Sequence, residues 1–199
     1  MGKIADNKNR NRRLILDAAF ALFADQGLAQ TSIADVVTAS GLARGTFYNY
    51  FISLEEVWSA LMEEHFAAIG RQARESRQSA KNVHDFFADA YRSYFEMVVG
   101  TPKMLPFVVR NQPAIRESFD SGPAPTTIFQ QLEEDMLASG FFSHLNDHQI
   151  RILTFAMVGA VSELLAQSVA RGIDLNPKVL SDTLANLFVH GLKGSSNGD

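Results

Sequence analysis

The chain has 199 residues, 46% of them hydrophobic and 20% charged, an ordinary balance for a folded protein with a sizeable core. It contains no cysteine, which excludes disulfides, thiolate metal sites and cysteine nucleophiles. The net charge of −4 is polarised: residues 1–53 hold six Lys/Arg against four Asp, and the acidic excess falls entirely in the later residues. That polarity turns the N-terminal end toward an anionic partner. Nothing near the N-terminus reads as a signal peptide, no apolar run reads as membrane-spanning, and a cytoplasmic protein without membrane contact is expected.

The first thirteen residues form a basic arm, with Lys3, Lys8, Arg10, Arg12 and Arg13 set against Asp6. Such an arm can follow a nucleic-acid backbone or enter a minor groove. Residues 12–23 then place Ile15, Ala18, Ala19, Leu22 and Phe23 on one helical stripe, and Gly27 supplies a left-handed stop. Thr31 or Ser32 caps a second helix with Asp35 in its first turn and Ile33, Val36 and Val37 on its inner side. Gly41 ends it. A third, short helix covers residues 43–50, carrying one cation and three aromatics, with the small Gly45 and Thr46 near its start. Two short helices joined by a tight glycine turn are the layout of a helix-turn-helix, whose second helix enters the DNA major groove. Ser53 and Glu56 form a capping-box pattern for a fourth helix with Leu54, Val57, Trp58, Leu61 and Met62 on its apolar stripe.

The remainder reads as helices throughout. Helix four runs toward Ser76, where the polar RESRQSAKN stretch makes a bend. A fifth helix spans residues 83–99, and prolines at 102, 106, 113, 123 and 125 break the next segment into short helices near 104–109 and 114–119. Helices over 127–139 and 147–170 follow, and Asn176-Pro177 opens the last one in the preferred cap-then-proline order. The tail KGSSNGD is expected to be disordered. His144 and His148 lack a third metal ligand, and no nucleophile elbow, phosphate loop or HExxH motif is present, so neither an enzyme nor a cofactor is expected.

Residues 12–62 resemble the DNA-binding domain of the TetR family of bacterial repressors. The likeness rests on LDAAFALFADQG, the T-S-I opening of helix two, the block GLARGTFYNYF and the S-L-E-E start of helix four. It implies an all-α fold in which an N-terminal three-helix helix-turn-helix domain, residues 1–53, precedes a helical effector-binding and dimerisation domain, residues 54–193, and a tail, 194–199. It also implies DNA-binding roles residue by residue. Arg44 and Gly45 fall where base edges are read, and Arg44 can bind guanine in a bidentate manner. Thr46, Tyr48, Asn49 and Tyr50 fall among phosphate contacts with occasional base contacts. Thr31 and Ser32 offer a helix N-terminus and hydroxyls to a phosphate, and Arg12 extends the basic arm. Two positions depart from the pattern: Leu54 stands where a phosphate-binding Lys is frequent, and Ala43 stands where a Ser cap is common.

The resemblance further implies a homodimer through the last two long helices, a palindromic double-stranded operator and a small-molecule effector. Ile150, Leu153, Met157, Val161, Leu164 and Leu165, with Leu180, Leu184, Leu187, Phe188 and Leu192, supply apolar stripes for that dimer. Phe87, Tyr91, Phe95, Met104, Phe107 and Phe129 are candidates to line a cavity for a hydrophobic effector. The alternative is a helical interaction protein of the same fold without operator recognition.

Overall fold

The computed structural model describes the backbone of residues 2–121 and 123–195, and the side chains of residues 7–119 and 128–191. Ten α-helices occur among the described residues: α1 Gly2–Gln26, α2 Ile33–Ser40, α3 Arg44–Tyr48, α4 Leu54–Gln78, α5 Val83–Gly100, α6 Met104–Arg110, α7 Gln112–Ser121, α8 Pro123–Ser139, α9 Asp147–Arg171 and α10 Pro177–Ser195. The chain divides into two compact units: residues 1–65 with 103–122, and residues 66–102 with 123–199.

In the first unit, α1 packs on α2 and α6. Ile15, Leu16, Ala19 and Phe23 of α1, Val36 of α2, Phe47 and Phe51 around α3, and Val57, Trp58 and Leu61 of α4 are buried. The spacing of each group is one helical face. The helix predicted over 12–23 extends from Gly2 to Gln26, so the basic arm is helical backbone. Gly27 does stop it, with φ 86° and ψ 156°, a positive φ combined with an extended ψ in place of the expected left-handed turn.

The unit reaches beyond residue 53 and takes in α6 and α7, which sequence reading grouped with the effector domain. Trp58 explains part of this. Its ring stacks on Phe107 of α6 at 5.5 Å, and its Nε1 donates to Ser118 Oγ of α7 at 3.0 Å. Asn111, between those helices, is 2% exposed. Its Nδ2 donates to the carbonyls of Phe23 and Phe107, both at 2.8 Å, and its Oδ1 accepts from Leu28 N–H at 2.7 Å. One side chain thereby gives the Leu28 N–H its partner and adds a second donor to carbonyls in the last turns of α1 and α6. Lys103, which adopts a left-handed φ of 64° at the start of α6, donates to Asp25 at 2.7 Å.

His65 of α4 packs its ring between Phe20 and Phe107, 5.3 and 5.5 Å away, and its Nε2 is buried without a partner among the described residues. Burial pushes its pKa below the ordinary 6.5, with Arg13 acting in the same sense and Glu64 opposing. The unfolded chain therefore takes up this proton first as pH falls, so stability present above pH 6.5 is lost from there down through the lower folded value. Urea unfolding of wild type should show a larger loss between pH 7.5 and 5 than unfolding of His65→Leu; equal losses would contradict a buried neutral imidazole.

The second unit pairs α10 with α5 and α8 with α9. Its centre is a ring cluster in which Phe86, Phe87 and Phe142 meet edge to face at 5.1–5.7 Å, with Phe188 5.6 Å from Phe87. Caps set the helix starts: Asn82 accepts from Asp85 N–H, Asn146 and Gln149 form a capping box, and Asn176 accepts from Val179 N–H ahead of Pro177. The break falls within the predicted RESRQSAKN stretch, at residues 79–82, and α4 runs two residues past Ser76 to Gln78 and buries Arg77 against Asp135 of α8.

Three further expectations change. Helix α9 is long and apolar enough, by length and composition, to cross a membrane. The stripe assigned to dimerisation is largely internal: Ile150, Leu153, Met157, Leu165, Leu180 and Leu184 are buried within the chain. Of that stripe Leu187 of α10 does face outward, 65% exposed, and the other outward apolar residues are Ile152, Phe155 and Val169 of α9 and Val179 of α10, all at least 41% exposed. The tail begins helically, α10 including Lys193 to Ser195, and the expected disorder of 196–199 lies outside the described residues, as does the Leu192 side chain.

Candidate nucleic-acid interface

The α2–α3 pair is built by local rules. Ser32 and Asp35 form a reciprocal capping box, and Gly41 takes a left-handed φ of 68° to end α2. Ala43 caps α3 without a side-chain hydrogen bond, as its methyl requires. Buried Phe47 then pins the five-residue helix from below and Phe51 anchors the chain after it, their rings 6.2 Å apart. Helical spacing puts the opposite residues on one outer face: Arg44, Gly45, Tyr48 and Asn49 are exposed, with Thr46 and Tyr50 half-buried at its margins. Six of the predicted DNA-binding residues thus share one short segment and its immediate exit.

Arg44 carries the only charge on that face. Its guanidinium carbon lies 5.9 Å from the Tyr48 ring centroid, and its Nη2 is 3.5 Å from the Tyr48 hydroxyl. Gly45 has a helical φ, and a Cβ built on it would meet nothing within 4 Å. No internal contact requires glycine there, although glycine weakens a helix interior by roughly 0.5–1 kcal/mol relative to alanine.

Three predicted contacts are committed elsewhere. Thr31 is buried; its hydroxyl donates to the Gly27 carbonyl at 2.8 Å and accepts from Gln26 Nε2. The Ser32 hydroxyl donates to Asp35, and the two hydrogen bonds from Ser32 hold that carboxyl below the usual carboxylate range. A carboxylate at the start of α2 opposes an incoming phosphate, so the helix end serves the fold. Arg12 bonds Glu64 at 2.9 Å and lies over the Phe51 ring at 5.6 Å, while Arg13 reaches Glu64 at 3.0 Å. Helix spacing alone could not reveal Glu64, some fifty residues away, as the partner of both.

Leu54 begins α4, where Ser53 Oγ accepts from Glu56 N–H and Glu56 accepts from Ile52 N–H at 2.7 Å. Ile52, absent from the sequence-derived set, is 78% exposed beside the same segment. An apolar residue in a polar turn was the signal available for it.

The six candidate effector residues fall in both units. Met104 and Phe107 belong to the first unit, where Phe107 packs on Phe20, Trp58 and His65. Phe87, Tyr91 and Phe95 of α5 and Phe129 of α8 belong to the second. There, the Tyr91 hydroxyl lies 3.5 Å from the Met157 carbonyl, and burial raises the pKa of both Tyr91 and Tyr94 well above the ordinary tyrosine range. Phe129 meets Phe155 edge-on at 5.3 Å.

Residues 15–61 match the family model described as bacterial regulatory proteins, tetR family. Among solved structures, the fatty acid degradation regulator FadR from Bacillus halodurans is similar over 88% of this chain and 93% of its own, with 19% identity and a TM-score of 0.74. FadR from Bacillus subtilis, solved in complex with stearoyl-CoA, is similar over 90% and 98%, with 19% identity and a TM-score of 0.73. The repressor AlkX from Dietzia sp., implicated in biodegradation of n-alkanes, is similar over 92% and 95%, with 15% identity and a TM-score of 0.59. At these identities the likeness concerns the fold, and the family match concerns the helix-turn-helix sequence of residues 15–61. Residues 15–61 thus carry the helix-turn-helix of the bacterial regulatory proteins of the tetR family, set in an all-helical chain whose fold is similar to that of solved regulators of that family.

Proposed function

We propose that the protein is a dimeric repressor that holds a palindromic operator and is released from it by a small hydrophobic effector. The observation that carries this reading is the outer face of α3, where Arg44, with no carboxylate partner among the described residues and Tyr48 as its neighbour, stands beside a glycine that nothing internal requires. Arg44 reads a guanine, Gly45 admits close backbone approach to a base, and Thr46, Tyr48, Asn49 and Tyr50 bond phosphates. Ile52 and Leu54, apolar where a cation would help, support the rival reading of an interaction protein.

Two such helices must reach half-sites about 34–36 Å apart, which a symmetric dimer supplies. Its interface uses the outward face of α9 and α10, around Ile152, Phe155, Val179 and Leu187. Glycine 159, whose added Cβ would meet nothing within 4 Å, permits close helix approach there.

The effector belongs with the second unit, near Phe87, Tyr91, Phe95 and Phe129. The three similar folds named above belong to proteins connected by name with fatty acid, fatty acyl or alkane chemistry, so a long acyl chain is the first effector class to test. It must prefer the conformation that does not fit DNA, since equal affinity for both states shifts nothing. Helix α4, which contributes to both units, is the continuous element that can carry the change.

The test is fluorescence anisotropy of full-length protein on a selected duplex, titrated with stearoyl-CoA and with shorter acyl-CoAs. The expected result is two chains per duplex and release that strengthens with chain length. Binding indifferent to every acyl chain would remove the lipid-like effector, and one chain per duplex would remove the dimer.

A further inference from the structure

Arg44 and Tyr48 are four residues apart on α3, so they stack on one face, and a helical side chain leans toward the N-terminus, bringing Tyr48 back over Arg44. The guanidinium carbon lies 5.9 Å from the ring centroid, and Nη2 lies 3.5 Å from the hydroxyl. The tyrosine is itself held: its ring stands at 89° to that of Phe47, 5.5 Å away, and Phe47 is fully buried. The chain from core to cation is therefore Phe47, Tyr48, Arg44.

The contrast with the other nearby arginines is informative. Arg12 and Arg13 are engaged by the Glu64 carboxylate, which consumes much of their charge as a lure for phosphate. Arg44 has no carboxylate partner among the described residues; its neighbour is a neutral ring, which attracts a cation without neutralising it. Ala43 gives no side-chain support and Gly45 has no side chain, so Tyr48 is the lateral support that α3 provides. An unsupported arginine at the start of a short helix samples many rotamers, and freezing them on DNA offsets contact energy.

We infer that Tyr48 is a specificity-determining positioning residue, whose ring presets the Arg44 guanidinium for base reading before DNA arrives. The inference rests on the base-reading role of Arg44 proposed above. It assigns to the ring, and not to the phenolic hydroxyl, a share of the discrimination that Arg44 delivers.

A double-mutant cycle on the full-length protein tests it, using the selected duplex and a duplex changed at the base pair most sensitive to Arg44→Ala. Tyr48→Ala should reduce discrimination between the two by about two- to fivefold, the range for an exposed cation–ring contact. Tyr48→Phe should keep most of it, and Tyr48→Ala should cause no further loss of discrimination once Arg44 is alanine. An equal factor with and without Arg44, or a loss by Tyr48→Phe as large as by Tyr48→Ala, would overturn the ring's role alone. Unchanged discrimination in Arg44→Ala would overturn the base-reading assignment and this inference with it. Should Tyr48→Ala unfold the short helix, Tyr48→Leu keeps the packing on Phe47 while removing the ring, and the same cycle applies.

Discussion

Arg44→Ala should lose between about five- and 150-fold of the preference for the operator over a duplex altered at the contacted guanine, equivalent to roughly 1–3 kcal/mol. The side chain is exposed on the outer face of α3 and makes no contact with the core, so the fold should survive. Affinity for arbitrary DNA should fall only by the loss of one cation, because phosphate contacts position a protein without reading sequence. The measurement is a pair of anisotropy titrations with cognate and altered duplexes at one fixed salt concentration. An equal loss on both duplexes would make Arg44 a phosphate contact.

Asp135→Ala should cost about 3–5 kcal/mol of stability, the usual consequence of leaving a buried partner charged and unpaired. Asp135 Oδ2 accepts from Arg77 Nε and Nη2 at 2.9 and 2.7 Å, and the two side chains are 4% and 7% exposed. Half-exposed Arg74 adds a bond to Oδ1 at 3.3 Å. Burial pulls the Arg77 pKa down, and the hydrogen bond and charge of Asp135 hold it up. Such a loss is a large fraction of the roughly 5–15 kcal/mol typical of a folded domain. Replacing both partners, as in Arg77→Met with Asp135→Leu, should restore most of it, since apolar packing carries no charge to desolvate. Urea unfolding of the single and double variants checks this. A loss below about 1 kcal/mol in the single variant would mean that water reaches Arg77 when its partner is removed.

What the sequence disclosed and what it withheld follow the range of the interactions concerned. Capping patterns and helical stripes act within one or two turns, and the elements they specify were found close to their expected bounds, from the Ser32 box to the Asn176-Pro177 start. The outer face of α3 was legible for the same reason, since Phe47 and Phe51 are buried where periodicity required. Partners far apart in the chain were not legible. Asn111 gives no local sign that it closes the end of α1, nor does Glu64 that it takes up Arg12. Arg77 looked like part of a solvated bend until α8 supplied its carboxylate. The two apolar faces of α9 show a further limit: a helix hydrophobic on both sides does not reveal which side its own chain covers. Leu153 and Met157 turned inward, and Ile152 and Phe155 remain outside.

The most direct test of operator recognition is selection of bound duplexes from a random library by the full-length protein at near-physiological salt. The expected result is a palindrome whose half-site centres lie one helical turn, or a multiple of it, apart, with a G·C pair in each half that becomes indifferent in Arg44→Ala. Failure to enrich any sequence, by protein that is folded, dimeric and stripped of ligand by unfolding and refolding, would contradict operator recognition and favour the interaction protein.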